Sequence, residues 1–234
     1  MPISAVPDHV AVAVPDIEAT AARWRDELGG GWANRGMFLP EAPFHVRQLR
    51  FPNGAKLELL QPNGGGFAQG FLDRFGPQVH HMTFKVPDAL LPAVETVRAE
   101  GYDVVDVNTD GGWHEAFLRP SQVGGIIAQV AWSESTPEEW ARRNAEVAEE
   151  PRGEVGLLGP TLTHPDLDQA ERVWTTLGGK VTHEDDALMV CWDGAPLTVR
   201  VEVGAAAGPV GLRMSGIEAM DLHPVYGAAV LPDA

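Results

Sequence analysis

The chain has 234 residues, of which 44% are hydrophobic, and a formal net charge of −16. This length allows one large domain or two modest ones, with an adequate apolar core either way. The negative charge argues against nucleic acid as a partner, because binding phosphates requires a basic surface. No apolar run reaches membrane-spanning length, so we expect no membrane contact and no signal peptide. The single Cys191 excludes an internal disulfide and indicates a cytoplasmic protein.

A strand followed by a helix is predicted three times along the chain. The pairs Pro15-Asp16, Pro87-Asp88 and Pro165-Asp166 each follow a short apolar run and precede a helical pattern. Aspartate in this position can cap the helix, and a glycine then closes it. Strand signals follow each helix, at residues 44–51 and 55–61, then 103–107, 115–119 and 125–132, then 187–192 and 196–203. The sequence therefore predicts an α+β fold of repeated βαβββ modules.

The repeats predict a division into three parts. The first two copies form a complete domain of paired βαβββ modules at residues 1–132, and residues 133–154 form a polar helical connector. Residues 155–234 hold a third, unpaired βαβββ-like half-domain, with one more strand at 208–214 and a tail at 221–234. Such a half-sheet needs a partner to close its core. It must pack on the first domain or pair with another chain, and we expect a homodimer.

Four polar residues recur at matched positions in the first two copies. His9 and His81 each lie seven residues before the aspartate of a Pro-Asp pair, and Glu58 and Gln129 follow them by 49 and 48 residues. All four interrupt apolar runs, where a carboxylate is costly to bury without a cation or another partner. Duplicated modules bring the four together about a pseudo-twofold axis. This pattern predicts a cage for a divalent metal, and mixed nitrogen and oxygen ligands suit zinc, nickel, cobalt, manganese or iron.

The stretches around these residues resemble the vicinal oxygen chelate superfamily, and within it methylmalonyl-CoA epimerases and glyoxalase-like proteins. They read DHVAVAVPD at 8–16, KLELLQP at 56–62, HHMTFKV at 80–86 and FLRP followed by GGIIAQ within 117–129. The resemblance implies paired modules that curl into a cup around a divalent metal held by His9, Glu58, His81 and Gln129. It also implies that substrate oxygens bind the metal and that an enolate is stabilised. His81 is preferred over His80 because a one-residue slip turns a strand side chain to the opposite face.

Two positions depart from the pattern that the resemblance implies for epimerases. The fourth ligand position, usually glutamate, is Gln129, and the other acid that epimerases use aligns with Arg47. A neutral amide cannot act as a general base, so a two-base epimerisation is disfavoured. The general base stays unassigned, with His45, Arg47 and His114 as weak catalytic candidates.

The sequence thus predicts a metal-dependent isomerase or lyase. Its substrate would be a small carbonyl compound or an acyl thioester that reacts through an enolate-like intermediate. One alternative is a ligand-binding protein of the same superfamily that sequesters its ligand without turnover. The other is an iron-dependent dioxygenase. The dioxygenase is disfavoured because the resemblance implies a carboxylate at the position of Gln129 for that chemistry, whereas the carboxylate here is Glu58.

Overall fold

The computed structural model describes residues 1–217 and 226–233. Part of the predicted tail, at residues 221–225 and 234, lies outside the described residues. The strands are β1 (Val6–Ala13), β2 (Gly31–Trp32), β3 (Phe44–Arg50), β4 (Lys56–Pro62), β5 (Gln78–Lys85), β6 (Val104–Asn108), β7 (Trp113–Leu118), β8 (Ile127–Ser133), β9 (Gly156–His164), β10 (Lys180–Glu184), β11 (Ala187–Cys191), β12 (Val199–Val203), β13 (Gly208–Ser215) and β14 (Val230–Pro232). The helices are α1 (Ile17–Asp26), α2 (Gly66–Phe75), α3 (Leu90–Ala99), α4 (Pro120–Val123), α5 (Pro137–Asn144) and α6 (Leu167–Thr176).

The described strands form two sheets. The larger has the order β2-β3-β4-β1-β5-β8-β7-β6, and the smaller has the order β10-β11-β12-β9-β13-β14. In each copy of the module the first strand runs parallel to the last, as β1 does to β4, β5 to β8 and β9 to β12. The remaining strands of each copy join as antiparallel hairpins. The predicted α+β fold of paired βαβββ modules with a third such module is confirmed.

The Pro-Asp pairs begin two of the repeated helices as predicted. The Asp16 carboxylate accepts a hydrogen bond from the backbone N–H of Ala19 at 2.8 Å, and Asp166 accepts one from Gln169 at 2.9 Å. These bonds satisfy N–H groups that the first helical turn leaves open. In the second copy α3 begins after Ala89, whose side chain provides no cap. Asp88 is therefore not the capping residue there.

The described residues divide into two compact units, each assembled from segments distant in sequence. The first unit contains Met1–His9, His81–Thr136 and Gly159–Val210. In its core the Phe84 ring lies 6.1 Å from Trp174 and 5.3 Å from Trp192. At its margin the backbone N–H of Ile3 donates to the carbonyl of Thr176 at 2.9 Å.

The second unit contains Val10–His80, Pro137–Leu158 and the described residues from Gly211 onward. Its largest buried side chain, Trp24, stacks edge-on against Phe51 and Tyr226 and donates its indole N–H to the Tyr226 carbonyl at 2.6 Å. Gly227 next to it has φ of 80°, and a Cβ there would come within 2.5 Å of a methyl group of Val14. Tyr226 and Gly227 are therefore part of this unit's core. Among the described helices, none is long and apolar enough to cross a membrane.

Candidate metal centre

Three of the predicted metal ligands lie together in the eight-stranded sheet. One ligand atom from each of His9, Glu58 and His81 lies within 4.8 Å of the other two. The two imidazole rings meet edge-on, with their centroids 5.7 Å apart. All three residues are largely buried, with exposed fractions of 3%, 9% and 7% in chain order. The arrangement brings two imidazole nitrogens and one carboxylate oxygen close together.

Strand register explains why His9 and Glu58 meet. The parallel pairing of β1 with β4 sets Ala11 beside Glu58. Side chains alternate along a strand, so His9 points to the same side as Ala11. The first strand of the module and its last strand thus present an imidazole and a carboxylate on one face of the sheet.

A chain of amides holds the Glu58 carboxylate. Gln48 lies directly opposite Glu58 in the β3–β4 hairpin, and its amide N–H donates to Glu58 Oε2 at 3.0 Å. Asn34 in turn donates to Gln48 Oε1 at 3.2 Å. The sequence analysis missed Gln48, although a signal was present. Residues 48 and 58 are equally distant from Asn53, which lies between the predicted strands at 44–51 and 55–61, and a hairpin there sets the two residues opposite each other.

Asp8 holds the His9 ring through one of its two nitrogens. Its Nδ1 lies 2.7 Å from a carboxylate oxygen of Asp8, and its Nε2 lies 3.0 Å from the Thr83 hydroxyl oxygen. A carboxylate only accepts, so Nδ1 carries the proton that it shares with Asp8. A carboxylate behind a metal-ligating histidine orients the ring and raises its basicity. Nε2 is therefore the ligand atom that His9 offers to the cluster.

Gln129 reaches the cluster through Thr83. The Thr83 hydroxyl donates to Gln129 Oε1 in a short contact, and the Gln129 amide N–H donates to Glu115 Oε2 at 2.6 Å. The β7–β8 register pairs Phe117 with Gln129, which puts Glu115 on the same face two residues further along. Glu115 was not among the residues singled out from the sequence. That Glu115 and Gln129 share a face of the sheet becomes known only when the register of β7 and β8 is known.

Arg47 and His45 lie away from this cluster. Arg47 precedes Gln48, so its side chain leaves the opposite face of β3. Its guanidinium carbon sits 3.6 Å above the Trp32 ring, and it pairs with Glu18 at 3.1 Å. His45 shares the face of Arg47, and its ring lies 5.3 Å from that of Phe38. These contacts give both residues packing roles on the other side of the strand.

His114 also lies on the opposite face from the predicted ligand set. It alternates with Glu115 on β7, its Nε2 lies 3.1 Å from the Gly111 carbonyl, and its ring lies 4.7 Å from Trp132. The structure therefore does not bring any of the three weak catalytic candidates, His45, Arg47 and His114, to the cluster.

His80, the neighbour of His81, occupies an apolar setting. Its ring lies 4.6 Å from Phe71 and 5.9 Å from Phe67 of α2. Burial there lowers the pKa of His80 to about 4, because the surroundings disfavour the charged ring. His80 is thus a neutral ring at physiological pH, and His81 is the residue of this pair that joins the cluster.

The donor set fits a divalent metal. Protein nitrogens and oxygens bind zinc at about 2.0–2.2 Å, so two ligands of one ion lie at most about 4.4 Å apart. The observed limit of 4.8 Å among His9, Glu58 and His81 lies within a small side-chain adjustment of that value. A buried carboxylate between imidazoles also gains from a cation. The residues present therefore match the group that the sequence predicts.

Comparison with known proteins identifies relatives of the first half of the chain. The profile of the Glyoxalase/Bleomycin resistance protein/Dioxygenase superfamily matches residues 8–117. An ethylmalonyl-CoA/methylmalonyl-CoA epimerase from Cereibacter sphaeroides is 32% identical in an alignment of 130 residues that covers 53% of this chain and 94% of that protein. The mitochondrial methylmalonyl-CoA epimerase of Bos taurus is 32% identical over 130 residues, covering 53% and 71% of the two chains.

One similar solved structure extends over nearly the whole chain. A hypothetical protein from Staphylococcus aureus aligns with 97% of this chain and 99% of its own length, with a TM-score of 0.68 and 11% sequence identity. At this identity the likeness concerns the fold. The fold of this chain, including the third module, therefore also occurs in a known protein.

Proposed function

The chain belongs to the Glyoxalase/Bleomycin resistance protein/Dioxygenase superfamily, and from this membership we propose that it is a divalent-metal-dependent isomerase or lyase. Its substrate is a small carbonyl compound or an acyl thioester that loses a proton next to the carbonyl. The observation that carries the proposal is the buried cluster of His9, Glu58 and His81. Burying a carboxylate beside two imidazoles is costly, and a bound cation would offset that cost.

In the proposed site His9, Glu58 and His81 hold the metal, and Gln129 is the fourth ligand through its amide oxygen. Zinc, nickel, cobalt, manganese and iron all suit this set. When bound, the metal supplies a Lewis acid that withdraws charge from the substrate carbonyl and eases proton loss beside it. The chain's own contribution is to orient the ligands, through Asp8 behind His9 and Gln48 behind Glu58.

Acyl-CoA thioesters are the first substrates to test. Two relatives at 32% identity are named for the epimerisation of methylmalonyl-CoA, one of them also for ethylmalonyl-CoA. Gln129 still separates this chain from a mechanism with two glutamate bases. We therefore propose proton exchange at the carbon next to the thioester as the elementary step, and we assign no general base among His45, Arg47 and His114.

The test combines metal analysis with proton exchange. Purified protein is incubated with Co²⁺, Ni²⁺, Mn²⁺ or Zn²⁺, desalted and analysed for bound metal, then mixed with methylmalonyl-CoA in heavy water. Mass spectrometry follows deuterium uptake. We expect the wild-type chain to retain metal and exchange the proton, and His81→Ala to lose both. His183→Ala is the matched control, because His183 is exposed and pairs with Glu171 on the surface.

Two results would count against the proposal. A wild-type chain that retains none of these metals contradicts the metal centre. A chain that retains metal and binds acyl-CoA thioesters and small carbonyl compounds without any exchange would instead favour the alternative of a ligand-binding protein without turnover.

We also propose that the protein acts as a cytoplasmic homodimer. Cys191 is exposed and free, which suits a reducing compartment. In the smaller sheet β9 has β12 on one side and β13 on the other. The dimer would therefore form through a surface other than the edge of β9. Light scattering on the full-length chain should give twice the 25.1 kDa of one chain. A mass of one chain at micromolar concentration would contradict the homodimer.

A further inference from the structure

We infer that Glu115 is a positioning residue, which turns the amide oxygen of Gln129 toward the metal cluster. This inference rests on the proposed function, since it assigns a neutral oxygen donor to the same site. Glu115 Oε2 accepts from Gln129 Nε2 at 2.6 Å, and Gln129 Oε1 faces the Thr83 hydroxyl, which also lies 3.0 Å from His9 Nε2. Gln129 is itself buried, with 7% of its surface exposed.

The chemistry of the two groups allows only one orientation. A primary amide has one accepting oxygen and one donating nitrogen, whereas a carboxylate only accepts. The reverse orientation would press the Gln129 oxygen against Glu115 Oε2 at a distance suited to a hydrogen bond. The indole N–H of Trp113 also donates to Glu115 Oε2, at 2.9 Å, and so holds the carboxylate in place. Glu115 therefore selects the amide orientation that leaves Oε1 on the side of Thr83.

Each module contributes one carboxylate and one primary amide from two neighbouring strands, but the strands that carry them are exchanged between the modules. In the first module the acid Glu58 lies on the last strand, and the amide Gln48 lies on the strand beside it. In the second module the amide Gln129 lies on the last strand, and the acid Glu115 lies on the strand beside it. Each half thus holds one carboxylate and one primary amide joined by an N–H···O bond. The negative charge missing at residue 129 is retained next to it.

This reciprocity makes the pair exchangeable, which a double-mutant experiment can measure. Co²⁺ serves as the probe, with affinity from calorimetry and ligand geometry from the visible absorption spectrum. We expect Glu115→Ala to weaken Co²⁺ binding by about 10–100-fold, the usual loss for a residue that orients a metal ligand. Its spectrum should also shift. Glu95→Ala, on the exposed side of α3, is the matched control and should leave both unchanged.

The exchanged variant separates orientation from simple packing. Gln129→Glu alone sets two carboxylates against each other and should lower the Tm of the metal-free protein by several degrees. Adding Glu115→Gln to it restores an amide–carboxylate bond, so the Tm should return to near the wild-type value. Co²⁺ affinity should then recover at least to the wild-type level. A residue that only fills space would change the Tm in Glu115→Ala without shifting the Co²⁺ spectrum.

The possible failures are distinguishable. A wild-type chain that binds no Co²⁺ overturns the proposed function and this inference together. A wild-type chain that binds Co²⁺ while Glu115→Ala binds it equally well, with the same spectrum, overturns this inference alone. So does an exchanged variant whose Tm stays as low as that of Gln129→Glu.

Discussion

Thr83 is the residue on which both modules of the candidate site converge. It is fully buried, and its single hydroxyl contacts His9 Nε2 and Gln129 Oε1. Thr83→Val keeps the shape of the side chain but removes the hydroxyl, so Gln129 Oε1 loses its buried hydrogen-bond donor. A group left without its hydrogen bond costs about 1–3 kcal/mol. We expect Thr83→Val to lower the free energy of unfolding of the metal-free protein by that amount, measured by urea denaturation with a chelator present.

Thr83→Ser is the control, because it keeps the hydroxyl and loses only a methyl group. It should be less destabilised than Thr83→Val, although the lost methyl leaves a small cavity of its own. If valine proved as stable as threonine under these conditions, the hydroxyl would not be a structural link between His9 and Gln129.

The sequence predicted the residues that interrupt apolar strands but not the residues that orient them. His9, Glu58 and His81 are recognisable because each is a polar residue at a repeated position in an apolar run. Gln48 and Glu115 lie in stretches that contain both polar and apolar residues, so a polar side chain there is not unusual. Their roles depend on which residue of the neighbouring strand lies opposite, and this register is a property of strand pairs that one strand's composition does not contain.

At the scale of elements, the strand signals predicted the strands well where local sequence agrees with the fold. The turn around Asn53 joins Phe44–Arg50 to Lys56–Pro62, within one residue of the predicted limits. Helix α2 was missed because glycines precede it and two more lie within it, a composition typical of a loop. Its Ala68 packs against Leu60 and Ala13, so tertiary burial overrides the weak local preference. The short β14 likewise exists by pairing with β13.

At the scale of the whole molecule, the chain's last third completes the core of both units. The first unit places Trp174 and Trp192 against Phe84, and the second places Tyr226 against Trp24. The domain limit at residue 132 is predicted from the repeats, and repeats indicate only that segments have similar structures. They do not reveal which segments cover each other's apolar faces. That limit stays a prediction, and truncation of the chain tests it.

We expect a fragment of residues 1–154 to be much less stable than the full chain. Truncation exposes Phe84 and Trp24, and exposing one large apolar side chain costs about 1.5–3 kcal/mol. It also removes the carbonyls of Thr176 and Tyr226, which accept from Ile3 and from the Trp24 indole at 2.9 and 2.6 Å. The fragment should unfold at a lower temperature than the full chain and bind a hydrophobic dye. A monomeric fragment that keeps the full chain's Tm and binds no dye would instead show that residues 1–132 close their core without the third module.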